Sequence, residues 1–136
     1  MADISIFRLY LLRAMYLLIA VGLAVTIWPG MISHPENLSH RGSVISSVLT
    51  AVSLLAILGL RYPLKMLPLL FFEFLWKTVW VLVFGLPLWL SNELEPNTAE
   101  TLAACLMGVV LVPLVVPWGY VFEHYVKASG DRWKKP

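Results

Sequence analysis

Apolar residues in this chain run in four long blocks, separated by short segments rich in proline and polar residues. None of the blocks alternates apolar and polar positions with period two. A helix that spans a bilayer needs about 20 mainly apolar residues. The pattern predicts four such helices, over about residues 7–28, 43–60, 67–90 and 98–121, with Pro29-Gly30 ending the first. Backbone groups in lipid must bond within their own segment, so each block is read as a helix and four make a bundle. The missing strand alternation argues against a barrel. The expected fold class is an all-α membrane protein with a four-transmembrane-helix bundle. Residues 1–127 form the membrane domain and residues 128–136 a polar cytoplasmic tail.

The punctuation between blocks fits this threading. Pro63 and Pro68 bracket a tight turn between the second and third helices. NTAE, residues 97–100, reads as a capping box, with Asn97 as the cap and Glu100 at the third helical position. Pro87, Pro113 and Pro117 fall inside apolar runs and are expected to kink or open their helices. SHPENLSH, residues 33–40, is a short polar loop.

Composition excludes the soluble alternative. The chain of 136 residues is 60% hydrophobic and only 13% charged, with a mean hydropathy of +0.81. That is too little charge to cover a water-soluble domain. A net charge of +2 with no basic run gives no reason to expect nucleic acid. The single cysteine, Cys105, allows no intramolecular disulfide. Arg8 and Arg13 ahead of an apolar stretch resemble a signal peptide. The run continues to Trp28 without a small-residue cleavage site, so it is read as a retained first helix.

Charge fixes the expected orientation. Arg8, Arg13, Arg61, Lys65, Lys127, Arg132, Lys134 and Lys135 fall on one side of an alternating four-helix thread. The other side carries Arg41 with Glu36, Glu93, Glu95 and Glu100. The positive-inside rule then places both termini in the cytoplasm. Trp28 and Trp89 are placed as outer interfacial anchors, and Tyr10, Tyr62, Trp118 and Tyr125 as inner ones.

Candidate chemistry centres on FFEFLWKTVW, residues 71–80. If the third helix enters lipid at residue 67, Glu73 lies roughly 9 Å deep and Lys77 roughly 15 Å deep. An isolated charge at that depth costs at least about 2.5–3.5 kcal/mol, and glutamate four residues before lysine is the favourable order for a pair. Arg13 lies at the same depth as Glu73, which makes an Arg13–Glu73–Lys77 cluster geometrically feasible. Arg61, Lys65, Glu123 and His124 supply further polar groups at the cytoplasmic end. Two readings follow. One is a cytoplasm-facing polar cavity for an anionic headgroup, a small anion or a proton; the other is a charge network that fixes helix register.

Other polar features read as structural. Ser43, Ser46, Ser47, Thr50 and Ser53 form a stripe on the second helix, read as a packing face in preference to a pore lining. Gly22 sits among small residues on the first helix. His34, Glu36 and His40 match no metal-ligand spacing, and a lone intramembrane histidine offers no paired haem ligation. No metal and no cofactor is therefore expected. Asn37-Leu38-Ser39 has the form of a glycosylation sequon.

The blocks RYPLKMLPLLFFEFLWKTVW and VVPWGYVFEHYV, with the GDRW tail, resemble those of small bacterial four-span inner-membrane proteins that carry no assigned activity. In size and threading the chain is also similar to the DoxX-like group. This resemblance implies a bacterial inner membrane and nothing about chemistry. No nucleophile–base motif, phosphate loop or thiol pair is present in the sequence. The expected function is a non-enzymatic accessory or structural membrane subunit. Its partners are the lipid bilayer and either further copies of itself or another membrane protein. The alternatives are a small proton- or anion-coupled transporter using Arg13, Glu73 and Lys77, and a lipid-modifying enzyme using Glu73, Glu123 and His124 as acid–base groups.

Overall fold

A computed structural model describes residues 4–134. Lys135, counted above among the basic residues of the tail, lies outside them. The described chain is helical, with no strand among these residues. Its helices are α1 (Ile6–Thr26), α2 (Trp28–Ser33), α3 (His40–Arg61), α4 (Leu67–Trp80), α5 (Leu86–Leu90), α6 (Pro96–Val115) and α7 (Trp118–Val121). A π-helical stretch, Val81–Gly85, joins α4 to α5 without a break, and another, Phe122–Lys127, extends α7. Four stretches are long and apolar enough to cross a membrane: Ile6–Ser33, His40–Arg61, Leu67–Leu90 and Pro96–Val115. The expected four-helix architecture is therefore present, and the third span has the expected bounds.

The other boundaries move, each for a local reason. Pro29-Gly30 does not end the first span. The chain bends at Ile27, where φ is −105°, and Pro29 falls in the first turn of α2, where a missing N–H leaves nothing unsatisfied. The second span starts at His40 because Ser39 caps it, its hydroxyl accepting the Gly42 N–H at 2.9 Å. The expected capping box at residues 97–100 is absent. Glu95 holds the cap position in an extended conformation, and Pro96 supplies the preset first helical residue.

The fourth span ends at Val115, short of the expected residue 121. Pro117 forces Val116 into an extended conformation, with ψ 130°. Pro117 has no N–H to give the Pro113 carbonyl, and the Trp118 indole N–H donates to it instead at 2.8 Å. The Leu114 carbonyl accepts from Arg8 Nη1 at 2.7 Å. Two side chains thus satisfy carbonyls of the helix end that Pro117 leaves bare.

The bundle is two antiparallel pairs. α1 packs along α3, and α4 along α6, while the pairs touch each other less. One end, here the base, gathers the start of α1, the α3–α4 turn and the end of α6. The buried core sits there: Leu12, Tyr16, Val52, Ala56, Leu67, Leu70, Val112 and Val116. The Tyr16 ring lies against Gly59, and its hydroxyl donates to the Pro63 carbonyl at 2.8 Å. Ser53 donates to the Ala20 carbonyl at 2.9 Å and ties α3 to α1. Ser43, Ser47 and Thr50 instead donate to carbonyls of their own helix. Thr50 also reaches Met31 Sδ of α2 at 3.5 Å, so among the described residues Ser53 and Thr50 are the members of the stripe that bond outside their own helix. At the opposite end, here the mouth, α1 beyond Ala20, α3 before Val52 and α6 before Cys105 hold no buried residue. The pairs splay apart there.

Candidate functional site: a charged pair at the floor of an interhelical cleft

The splay leaves a cleft of about 550 Å³ between α1 and α6, backed by α4. Residues from Asn97 to Leu111 of α6 line it, a run of roughly 20 Å at 1.5 Å per residue. Most of the wall is apolar, with Met15, Ile19 and Leu23 on one side and Met107 and Leu111 on the other. Thr26, Asn97, Glu100 and Thr101 give the mouth a polar rim. Leu18 and Met107, two wall residues, are about half exposed, so the cleft also opens sideways between α1 and α6.

Glu73, Trp76 and Lys77 form the floor. Glu73 is 1% exposed. Its Oε2 accepts from Lys77 Nζ at 3.1 Å and from the Trp76 indole N–H at 3.1 Å. One turn of α4 supplies all three groups, since positions i, i+3 and i+4 share a helix face. Its Oε1 is buried and has no hydrogen-bond partner among the described residues. Lys77 keeps 17% of its side-chain surface, facing the cleft. Across from it is Gly108 of α6. A Cβ there would stand 2.8 Å from Lys77 Nζ and 2.7 Å from Cδ. The absent side chain of Gly108 is what lets the lysine lie against the α6 backbone. Cys105, one turn earlier, is buried beside the same floor.

The structure brings Glu73 and Lys77 together and leaves Arg13 out. Arg13 Nε donates to the Leu60 carbonyl at 2.8 Å, and its guanidinium lies 5.6 Å from the Tyr10 ring centre. The C-terminal end of α3 presents carbonyls with no helical partner, and a cation is well placed there. Equal depth did not mean equal direction. Replacing Arg13 with leucine is expected to cost about 1–2 kcal/mol through that lost bond. The loss should add to changes at Lys77 without coupling, as read by unfolding in mild detergent.

The remaining candidates lie at the base. The Arg61 and Lys65 cations both lie near the Tyr62 ring, 5.4 and 5.3 Å from its centre. His124 is exposed, stacks on Tyr120 with ring centres 4.0 Å apart, and has Nδ1 3.1 Å from the Tyr120 carbonyl. Glu123 is half-buried on the same π-helical turn. None of these four lines the cleft. The expected polar cavity at the base is thus not where the open space lies: large side chains fill the base, and the cavity opens at the mouth. His34 and Glu36 pair with each other, Nδ1 to Oε1 at 3.5 Å, on the surface.

Sequence reasoning missed Gly108, Cys105 and the rim residues. Ala104 and Gly108 carried a signal, a small-residue pair four apart that allows close approach of a neighbouring helix. No family model, curated protein or solved structure matches the chain.

Proposed function

We propose that the protein is a multi-pass subunit of a bacterial inner membrane, both termini cytoplasmic, that works by binding a ligand in this cleft without catalysing a reaction. One observation carries the reading. A buried carboxylate oxygen without a partner and a partly free ammonium stand together at the end of an apolar cleft. Buried polar atoms in folded proteins are nearly always bonded. An orphan acceptor at the floor of a cleft of pocket size is best explained by a group that arrives from outside the chain. A pure register clamp would have no use for the open space. The positive-inside pattern supports an orientation in which the mouth faces away from the cytoplasm.

The test is native mass spectrometry of protein released from lipid nanodiscs. The expected result is a bound small molecule on the wild-type chain that Gly22→Phe removes. Gly22 lines the cleft, and a Cβ there meets nothing within 4 Å, so a phenyl group fills the space without disturbing the floor. An adduct that survives Gly22→Phe, or none at all on the wild type, would count against the proposal.

A carrier is the second reading, favoured by the combination of an open mouth, a packed base and helix interruptions at Val81–Gly85 and Pro117. Such interruptions are where helices hinge. The lipid-modifying reading draws no support from the geometry, because Glu123 and His124 do not share the cleft with Glu73.

A further inference from the structure

The polarity of the cleft floor narrows the ligand. The ammonium of Lys77 has three donors, and among the described residues its one ion pair is with Glu73 Oε2. Glu73 Oε1 is an acceptor with no partner among the described residues; it is buried, so an incoming group reaches it as the Lys77 side chain gives way. Donor and acceptor therefore stand side by side, and the pair has no net charge. An anionic head that approached Lys77 would meet the Glu73 carboxylate. A cationic head that approached Glu73 would meet the ammonium. In low dielectric either repulsion is strong. A hydroxyl group answers both needs at once, donating its hydrogen to Oε1 and accepting from Nζ.

The rest of the cleft fixes what the hydroxyl is attached to. The walls between floor and rim are apolar, and the sideways opening at Leu18 and Met107 faces the surroundings at mid-helix level. In a membrane those surroundings are acyl chains, so a molecule dissolved in the bilayer reaches the floor without crossing water. An apolar body leaves water and lipid disorder for a shaped wall, while a polar end finds the bonds that hydrocarbon denies it. We infer that the cleft binds a neutral amphiphile with a hydroxyl head and an apolar body, a lipid alcohol in chemical class, its hydroxyl bridging Glu73 and Lys77. This rests on the cleft being a binding site, as proposed above.

The Trp76 indole lines the cleft and donates to Glu73, so it reports occupancy. The experiment titrates the whole chain in nanodiscs with four probes: a fatty alcohol brominated within a few carbons of its head, the matching carboxylate, the matching alkylammonium and the headless bromoalkane. Bromine quenching of tryptophan emission is read for its saturable part. The alcohol is expected to saturate at about tenfold lower concentration than the other three, the worth of hydrogen bonds to charged groups. That preference should vanish when Glu73→Gln and Lys77→Met are combined. Tighter binding of the carboxylate or the ammonium, or equal binding of all four, would overturn the hydroxyl assignment and leave the cleft as a binding site. The same holds if none saturates while the native adduct is present. Saturable quenching by the alcohol that is unchanged by Gly22→Phe would place binding elsewhere and overturn both.

Discussion

Lys77→Met is expected to be among the most destabilising changes in the chain, costing about 3–5 kcal/mol. The substitution keeps most of the side-chain volume against Gly108 and removes the charge. It leaves Glu73, 1% exposed, with only the Trp76 indole to answer a full negative charge. Glu73→Gln is expected to cost less, about 1–3 kcal/mol. Its amide can keep the bond from Trp76, and the orphaned ammonium borders the open cleft, where water can reach it. The double variant should recover much of either loss, since it removes both charges from the interior and leaves two side chains of similar size. The measurement is a double-mutant cycle by unfolding titration in mild detergent. Additive losses would mean that the 3.1 Å pair does not bind the two residues energetically. Singles as stable as the wild type would mean that the floor is wet enough to solvate either charge alone.

Gly59→Val is the second large effect. An added Cβ at Gly59 meets the Tyr16 ring at 2.5 Å from Cδ1, well inside contact distance. The ring cannot swing away cheaply. It is fully buried, and its hydroxyl is held by the Pro63 carbonyl at 2.8 Å. Alanine is expected to cost about 1–3 kcal/mol by overpacking, and valine more, because its branches drive α1 from α3 where Tyr16 and Gly59 touch. Loss of the Tyr16–Pro63 bond would loosen the α3–α4 turn as well. Gly22 is the contrast on the same face of the argument: with nothing near its Cβ, Gly22→Ala is expected to be neutral, or to stabilise by up to about 1 kcal/mol through helix propensity. Melting temperatures of the two alanine variants, measured side by side, decide it. Equal shifts would contradict the view that the bundle is tight at the base and open at the mouth.

The architecture was legible in the sequence because four apolar stretches of membrane-spanning length leave few solutions other than four helices. The pair at Glu73 and Lys77 was legible for a similar reason. Position i and i+4 share a helix face whatever surrounds them, so local spacing alone brought those side chains together. Arg13 was not, because depth in a membrane fixes one coordinate and leaves rotation about the helix free. The carbonyl end of α3 claimed its guanidinium. The site of the cavity was also hidden. The density of charge at the base suggested polar space there, yet cavities follow side-chain volume. Tyr16, Leu67, Leu70 and Val112 fill the base, whereas Gly22 and Ala104 leave room above it. Pro117 was read as a kink within a span and proves to be the end of it, since it both lacks a donor and forces its predecessor to extend.

In the proposed orientation the open cleft runs from the floor to a mouth on the side away from the cytoplasm. This is tested most directly by placing the chain's only thiol inside the cleft. Ala104→Cys in a Cys105→Ser background puts a reactive group on an exposed stretch of the cleft wall, with Gly119→Cys in the same background as a reference at the base. A charged, membrane-impermeant thiol reagent is then applied to spheroplasts and to inverted vesicles. The expected result is rapid labelling of the Ala104 position in spheroplasts, slowed by Gly22→Phe, with the Gly119 position labelled only in inverted vesicles. Labelling of the Ala104 position only in inverted vesicles, or from neither side, would contradict it.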